Sequence, residues 1–165
     1  MSLRLTAALT AALLLSGCVN LSRSAAVAPL SGELAQGGRV DEVVLVGAPE
    51  SVSPEFESIF RSRVQARLNA CAVGQRPLRL EASVERLTRT NPVITAVVAG
   101  ANVLRGTARL VDTATGQPAG EYQIGRTVVG GRVGAIAMAQ SEEQLSDAFG
   151  QELCDQAFAA QKPAP

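Results

Sequence analysis

The chain has 165 residues with 15 basic and 15 acidic side chains, no histidine, no tryptophan and only 3% aromatic residues. The balanced charge gives no basic footprint for nucleic acid, and the lack of histidine excludes His-based triads, His general bases and His-ligated metals. Carbohydrate or base-stacking sites built on aromatic rings are not expected either. We therefore predict no nucleic-acid partner, no cofactor and no metal site.

The first 17 residues have the layout of a secretory signal. Arg4 is its one positive charge, and the uncharged apolar run over residues 5–15 is shorter than the about 20 residues of a spanning helix. The run ends in Leu15-Ser16-Gly17-Cys18. This motif resembles the lipobox of bacterial lipoproteins, the class that signal peptidase II cleaves.

The lipobox resemblance implies that a diacylglyceryl group is added to the Cys18 thiol, that cleavage occurs before Cys18, and that the new amino group is acylated, for example with palmitate. Two or three acyl chains anchor stably, because each buried methylene contributes roughly 0.8 kcal/mol. In this class an aspartate after the cysteine often signals inner-membrane retention, but Val19 stands there. We predict a lipid anchor in the outer membrane, facing the periplasm. The alternative is a plain secretory signal with an incidental cysteine.

The next predicted feature is a flexible tether over residues 18–38. Ser, Ala, Pro and Gly dominate this stretch without a helical or strand period. A coil of about 20 residues would span roughly 25 Å and would hold the domain clear of the bilayer. Residues 39–161 are predicted to form a single α+β domain, and residues 162–165 a frayed tail.

Periodicity within the predicted domain indicates two helices and four strands. Apolar residues at three- and four-residue spacing predict helices, whereas alternating apolar and charged residues predict half-buried strands. The elements are a strand at 40–46, a helix between Ser53 (its N-cap) and Gly74, strands at 78–87, 104–111 and 121–129, and a helix from Ser141. This β-α-β-β-β-α order predicts a two-layer α+β sandwich, with both helices on one face of an antiparallel-rich sheet.

The second face of that sheet is predicted to be solvated, with opposite charges paired across neighbouring strands. Its charged side chains are Arg79, Glu81, Glu85, Arg105, Arg109 and Glu121. The layout of residues 40–160 also resembles small envelope lipoproteins with uncharacterised α+β domains. In several of those a Gly/Ala-rich segment precedes a strand ending in Asp-x-x-x-Gly, here Asp112 to Gly116. That resemblance implies fold and location, and it implies no chemistry.

Cys71 and Cys154 remain once Cys18 is acylated. One ends the first predicted helix and the other lies on the last, so helices on one sheet face can bring them within the about 4.4–6.8 Å Cα separation of a disulfide. The oxidising periplasm permits that bond. The alternative is two buried free thiols, whereas a redox pair is disfavoured because no Cys-x-x-Cys spacing exists.

Two charge-free segments interrupt the pattern, from Thr90 to Leu104 and from Val133 to Ser141. If exposed, they would form an apolar patch of the kind that meets a partner or a membrane. The hypothesis is that they are partner-docking loops, and the candidate residues are Val93, Ile94, Val97, Val98, Val133, Ile136 and Met138. The alternative is that the first segment extends a strand and helps to bury the core.

No motif in the sequence predicts catalysis. The Gly-rich stretch at residues 130–134 is neither a G-x-G-x-x-G nor a P-loop sequence. Glu142 and Glu143 are adjacent on a helix and so point about 100° apart, which indicates charges at a helix end and not an acid/base pair. We therefore predict a non-enzymatic accessory or assembly subunit of a cell-envelope system, with an envelope protein as partner. The alternative is a binding module for a small apolar or lipid ligand held between sheet and helices.

Overall fold

The structure is a computed structural model that describes residues 19–88, 100–130 and 141–158. These residues form six strands and three helices. In chain order they are β1 (Val19–Ser22), β2 (Ala25–Ala28), α1 (Gly32–Gly37), β3 (Gly38–Gly47), α2 (Phe56–Cys71), β4 (Arg76–Thr88), β5 (Gly100–Asp112), β6 (Pro118–Gly130) and α3 (Ser141–Ala157).

All six strands belong to one sheet, in the order β1-β6-β5-β4-β3, with β2 also paired to β6. β3 and β4 are parallel and are connected through α2, whereas the other neighbouring strands are antiparallel. A parallel pair needs such a crossover, while β4, β5 and β6 follow one another as an antiparallel meander. The predicted α+β fold with an antiparallel-rich sheet is confirmed.

The alternation in the sequence correctly predicts which face of each central strand is buried. Leu78, Leu80 and Ala82 of β4 are fully buried, as are Leu104 and Leu110 of β5. The charged residues between them point to the opposite face, which the helices do not cover. The core therefore lies in one layer between the sheet and the pair α2 and α3.

The two long helices run in the same direction and contact each other at three levels. Near their starts, Ser53 before α2 bonds to the carboxylate of Glu142 on α3. At mid-length, the rings of Phe60 and Phe149 meet edge to face with centroids 5.0 Å apart. Towards their ends the helices are joined through cysteine side chains. Helix α3 is thereby fixed on α2 along most of its length.

The turn between β5 and β6 confirms the prediction for Asp112 to Gly116. The Asp112 carboxylate accepts hydrogen bonds from the backbone N–H groups of Ala114 and Thr115, at 2.9 and 3.2 Å. Gly116 has φ of +69°, a conformation that glycine adopts without steric cost. The aspartate and the glycine thus fix the hairpin locally.

The segment predicted as a flexible tether carries regular structure from residue 19 onward, and this corrects the prediction. β1 and β2 pair with β6, and Leu30 and Leu34 are buried in the core. The buried Tyr122 hydroxyl accepts the Leu30 N–H at 2.8 Å, and burial raises the pKa of Tyr122. The sequence shows no period here because four-residue strands at a sheet edge are held mainly by backbone bonds. The folded unit begins at β1 and not at residue 39.

We predict that Tyr122→Phe lowers the free energy of unfolding by about 1–3 kcal/mol, because the buried Leu30 N–H loses its acceptor. Urea titration would measure this change, and hydrogen exchange would show faster exchange at Leu30. In the wild type, that amide and those of β1 should exchange slowly. Unprotected amides over residues 19–30, with no loss of stability in the variant, would instead indicate a free tether.

Candidate functional site

One end of the sheet gathers the ends of several strands. Val19, the first residue of β1, pairs with Val129, and Gly100, the first residue of β5, pairs with Gly130. Thr88 ends β4, which runs antiparallel to β5 and so finishes at the same end. We call this the anchor end of the sheet and define it by Val19, Thr88, Gly100 and Gly130.

The anchor end is where the sequence-predicted functional segments join the described fold. Cys18 directly precedes Val19, the first charge-free segment begins two residues after Thr88 and continues into β5 as far as Leu104, and the second follows Gly130. The predicted lipid-attachment and docking residues themselves lie outside the described residues. They are Cys18, Val93, Ile94, Val97, Val98, Val133, Ile136 and Met138.

β1 is held to the rest of the domain by a buried acidic side chain that the sequence analysis missed. Glu152 on α3 is only 4% exposed. Its carboxylate accepts a hydrogen bond from Ser22 Oγ at 2.5 Å and forms an ion pair with Arg126 of β6. Charge-assisted bonds of this kind are among the stronger polar contacts in proteins. The cluster ties the strand that follows Cys18 to both layers of the fold.

A signal for this cluster is present in the pattern itself. Arg126 occupies an inward position of β6, two residues after the buried Ile124, and Glu152 lies beside the buried Leu153 on α3. Charged residues at apolar positions are rarely buried unless they are paired. The pattern therefore identifies both residues as candidates for buried, paired charges, but it does not show that they pair with each other.

Glu142 lies in the first turn of α3, as predicted, and it has a further role there. It is 6% exposed, and its carboxylate accepts both the N–H of Ser53 at 2.9 Å and the Ser53 hydroxyl at 2.6 Å. Ser53 was predicted as the N-cap of the first helix, but α2 begins at Phe56 and Glu55 precedes it without a side-chain cap. The serine is used instead to connect the β3–α2 loop to α3.

The predicted disulfide is confirmed. Cys71, the last residue of α2, is bonded to Cys154 of α3, with a Cα–Cα distance of 5.8 Å. The bond lies towards the opposite end of the helix pair from Glu142. It excludes the alternative of two free thiols, and it closes a loop between residues that are 83 positions apart.

The space between sheet and helices is filled by side chains. Phe56, Phe60, Phe149 and Phe158 are at most 1% exposed, and Leu and Ile side chains pack between them. The hypothesis of an apolar ligand held between sheet and helices therefore gains no support from the described core.

The described part of the chain contains no helix that is both long enough and apolar enough to cross a membrane. Nor do three or more Cys, Asp or Glu side chains gather as metal ligands among the described residues.

No family model and no curated protein matches this chain. Among solved structures, the fold is similar to the dodecamer of a PelC point variant from Paraburkholderia phytofirmans, with a TM-score of 0.50 and 17% identity over 84% of this chain and 99% of that one. The PelC dodecamer in another space group has a TM-score of 0.45 and 16% identity over 84% of this chain and 99% of that one. A putative lipoprotein from Caulobacter crescentus CB15 has a TM-score of 0.44 and 13% identity over 73% of this chain and 92% of that one. At these identities the likeness to the first structure shows the fold alone.

We predict that replacing both Cys71 and Cys154 by alanine lowers the free energy of unfolding by about 4 kcal/mol, the chain-entropy value for a loop of this length. Urea titration under non-reducing conditions would measure the difference. A reductant should shift the wild-type midpoint to that of the double variant and leave the variant unchanged. An unchanged wild-type midpoint after complete reduction would contradict the prediction.

Proposed function

We propose that this protein is a non-enzymatic lipoprotein of the cell envelope, an assembly subunit that is anchored directly against the membrane through acylated Cys18. One observation carries the proposal: Val19, the residue after Cys18, already pairs with Val129 at the anchor end of the sheet. Consecutive Cα atoms are about 3.8 Å apart. The acyl chains would therefore enter the bilayer next to the folded domain and not at the end of a long tether.

This placement suits the chemistry of the segments that join the same end. The stretch between Thr88 and Gly100 has one charge, Arg89, and the stretch from Val133 to Gln140 has none. Apolar residues near a bilayer surface are stabilised by burial in the interface, whereas charged residues are not. We propose that the anchor end faces the lipid and that the opposite end, with the Cys71–Cys154 disulfide, faces the periplasm.

The sheet also has features that suit assembly with further copies of itself. Within the described residues, β1 and β2 form one edge of the sheet and β3 forms the other, although Arg39 near the start of β3 also makes an isolated antiparallel bridge with Val73. Open edges offer backbone hydrogen bonds to another chain. Both edges carry exposed apolar side chains: Val46 on β3 is 62% exposed, Val27 on β2 is 56% exposed and Leu21 on β1 is 49% exposed.

Two different edges on opposite sides of one sheet favour head-to-tail contacts, which form a ring when the rotation between neighbouring copies closes. We propose a ring in which β3 of each copy meets β1 and β2 of the next. Both edges extend away from the anchor end, so such a ring would keep every Cys18 on one face, towards the membrane. The solved structure with a similar fold at a TM-score of 0.50 is itself a dodecamer, which supports this proposal.

The anchor is tested with Cys18→Ala. We expect this variant to lose incorporation of labelled palmitate and to leave the outer-membrane fraction, because the acylated thiol is absent. Ser16→Ala is the matched control, since it keeps a small residue before the cleavage site and should behave like wild type. The proposal would be contradicted if the Cys18→Ala protein remained in the outer membrane and the wild-type protein incorporated no labelled palmitate.

Assembly is tested with Val46→Arg and Val27→Arg in the full-length protein. We expect wild type in mild detergent to form a closed oligomer by native mass spectrometry, and each variant to be mostly monomeric, because the new charge cannot be buried at the contact. Ala66→Arg is the control, because Ala66 is exposed on α2 and lies outside the six strands. A monomeric wild type, or edge variants that assemble like Ala66→Arg, would contradict the ring.

A further inference from the structure

The exposed face of the sheet divides into two halves that differ in how their charges are used. In the half distant from the anchor end, Arg79 pairs with Glu81 at 2.6 Å, and Arg109 pairs with Glu121 at 3.6 Å. The contact between Arg109 on β5 and Glu121 on β6 confirms the predicted pairing of opposite charges across neighbouring strands, whereas Arg79 and Glu81 pair within β4. The side chains concerned satisfy one another and leave no group of one sign in excess.

The half nearer the anchor end is different. Arg105 and Glu85 lie on this face, and the connection between β1 and β2 brings Arg23 beside them. Within the described residues, none of these three side chains forms an ion pair. Two arginines and one glutamate leave a net positive charge, and all three side chains are exposed to solvent.

These side chains surround a pocket of about 340 Å³, to which Gln123 also contributes. That volume falls at the lower end of the roughly 300–1,000 Å³ range of ligand sites. The pocket is open on the solvent side and has a polar lining. It is separate from the helix-covered face and from the anchor end.

The backbone explains why a pocket exists at this place. Arg105 pairs across the sheet with Gly125, which has no side chain to fill the space beside the guanidinium. Arg23 N–H donates to the Gly125 carbonyl at 2.8 Å, and a Cβ on Gly125 would lie 3.0 Å from the Arg23 carbonyl oxygen. On the other side, an irregularity in the β4–β5 register places Glu85 at the pocket.

We propose that this pocket binds an anionic sugar unit, a uronic acid or a sugar phosphate, with its oxyanion on Arg23 and Arg105 and its hydroxyl groups on Gln123 and Glu85. Planar guanidinium groups bind carboxylate and phosphate oxygens with two parallel hydrogen bonds. The carboxylate of Glu85 would repel a bare anion but accepts hydrogen bonds from hydroxyl groups. Two arginines beside one glutamate therefore select a ligand that carries both an oxyanion and hydroxyl groups.

Binding should be sensitive to salt, because the pocket offers no aromatic ring for stacking and recognition depends on exposed charge. The site shares no residue with the proposed anchor or with the strands of the assembly edges, although Arg23 lies in the connection between β1 and β2. Its test is therefore independent of the proposed function, and either proposal can fail while the other holds.

The test is a calorimetric titration of the full-length protein in detergent with D-glucuronate, glucose 6-phosphate, D-glucose and inorganic phosphate. Glucuronate binding above that of glucose 6-phosphate indicates a uronic acid, and the reverse order indicates a sugar phosphate. We expect both to bind more tightly than glucose or phosphate. Arg105→Gln should weaken the anionic sugars about tenfold, as expected for the loss of a charged hydrogen-bond donor.

Arg109→Gln is the matched control, since Arg109 lies on the same strand and face but is paired with Glu121. It should change the affinity less than about twofold. Glu85→Gln should weaken the sugars and strengthen inorganic phosphate. The proposal is overturned if no anionic sugar binds, if phosphate binds as tightly as the sugars, or if Arg109→Gln and Arg105→Gln reduce binding equally.

Discussion

The pairing of β6 on both of its sides is the constraint that orients the whole molecule. On one side, β6 pairs with β5 in the central meander, and on the other it binds β1 and β2 in antiparallel register. That register brings Val19 beside Val129. The consequence is that the amino-terminal start of the domain, and with it the proposed lipid anchor, lies at the same end of the sheet as the two charge-free segments. If a flexible stretch as long as one strand separated Cys18 from β1, Cys18 would no longer be held at this end of the sheet.

The helix layer makes this orientation rigid. The contact of Ser53 with Glu142, the ring contact of Phe60 with Phe149 and the disulfide hold α2 and α3 together from one end to the other. Because Glu152 of α3 also holds Ser22 of β1, the same layer fixes the strand that follows Cys18. One face of the sheet is thus committed to stability. The helices do not cover the other face, the two edges or the anchor end, and these are the surfaces to which the proposed contacts with solute, copies and lipid are assigned.

Much of the central fold could be predicted because its signals are local. The alternation of Leu78 and Leu80 with charged residues identifies the buried face of β4, and the aspartate and glycine of the β5–β6 turn bond within four residues. The predicted lipobox is local too, since the motif consists of four consecutive residues. The disulfide partners followed from the helix positions of Cys71 and Cys154, although their distance did not.

By itself the sequence therefore determined the order of the central elements, their buried faces and the candidate cysteine pair, and it predicts the signal and the lipobox. The tertiary structure alone decided that residues 19–28 are strands, that Glu152 meets Arg126, and that Arg23 and Arg105 share a pocket. The physical reason is the same in each case. The partner lies far along the chain, with 101 positions separating Ser24 from Gly125 and 130 separating Ser22 from Glu152. Backbone pairing at an edge and isolated polar contacts leave no period in a sequence, and only the folded chain brings such residues within bonding distance.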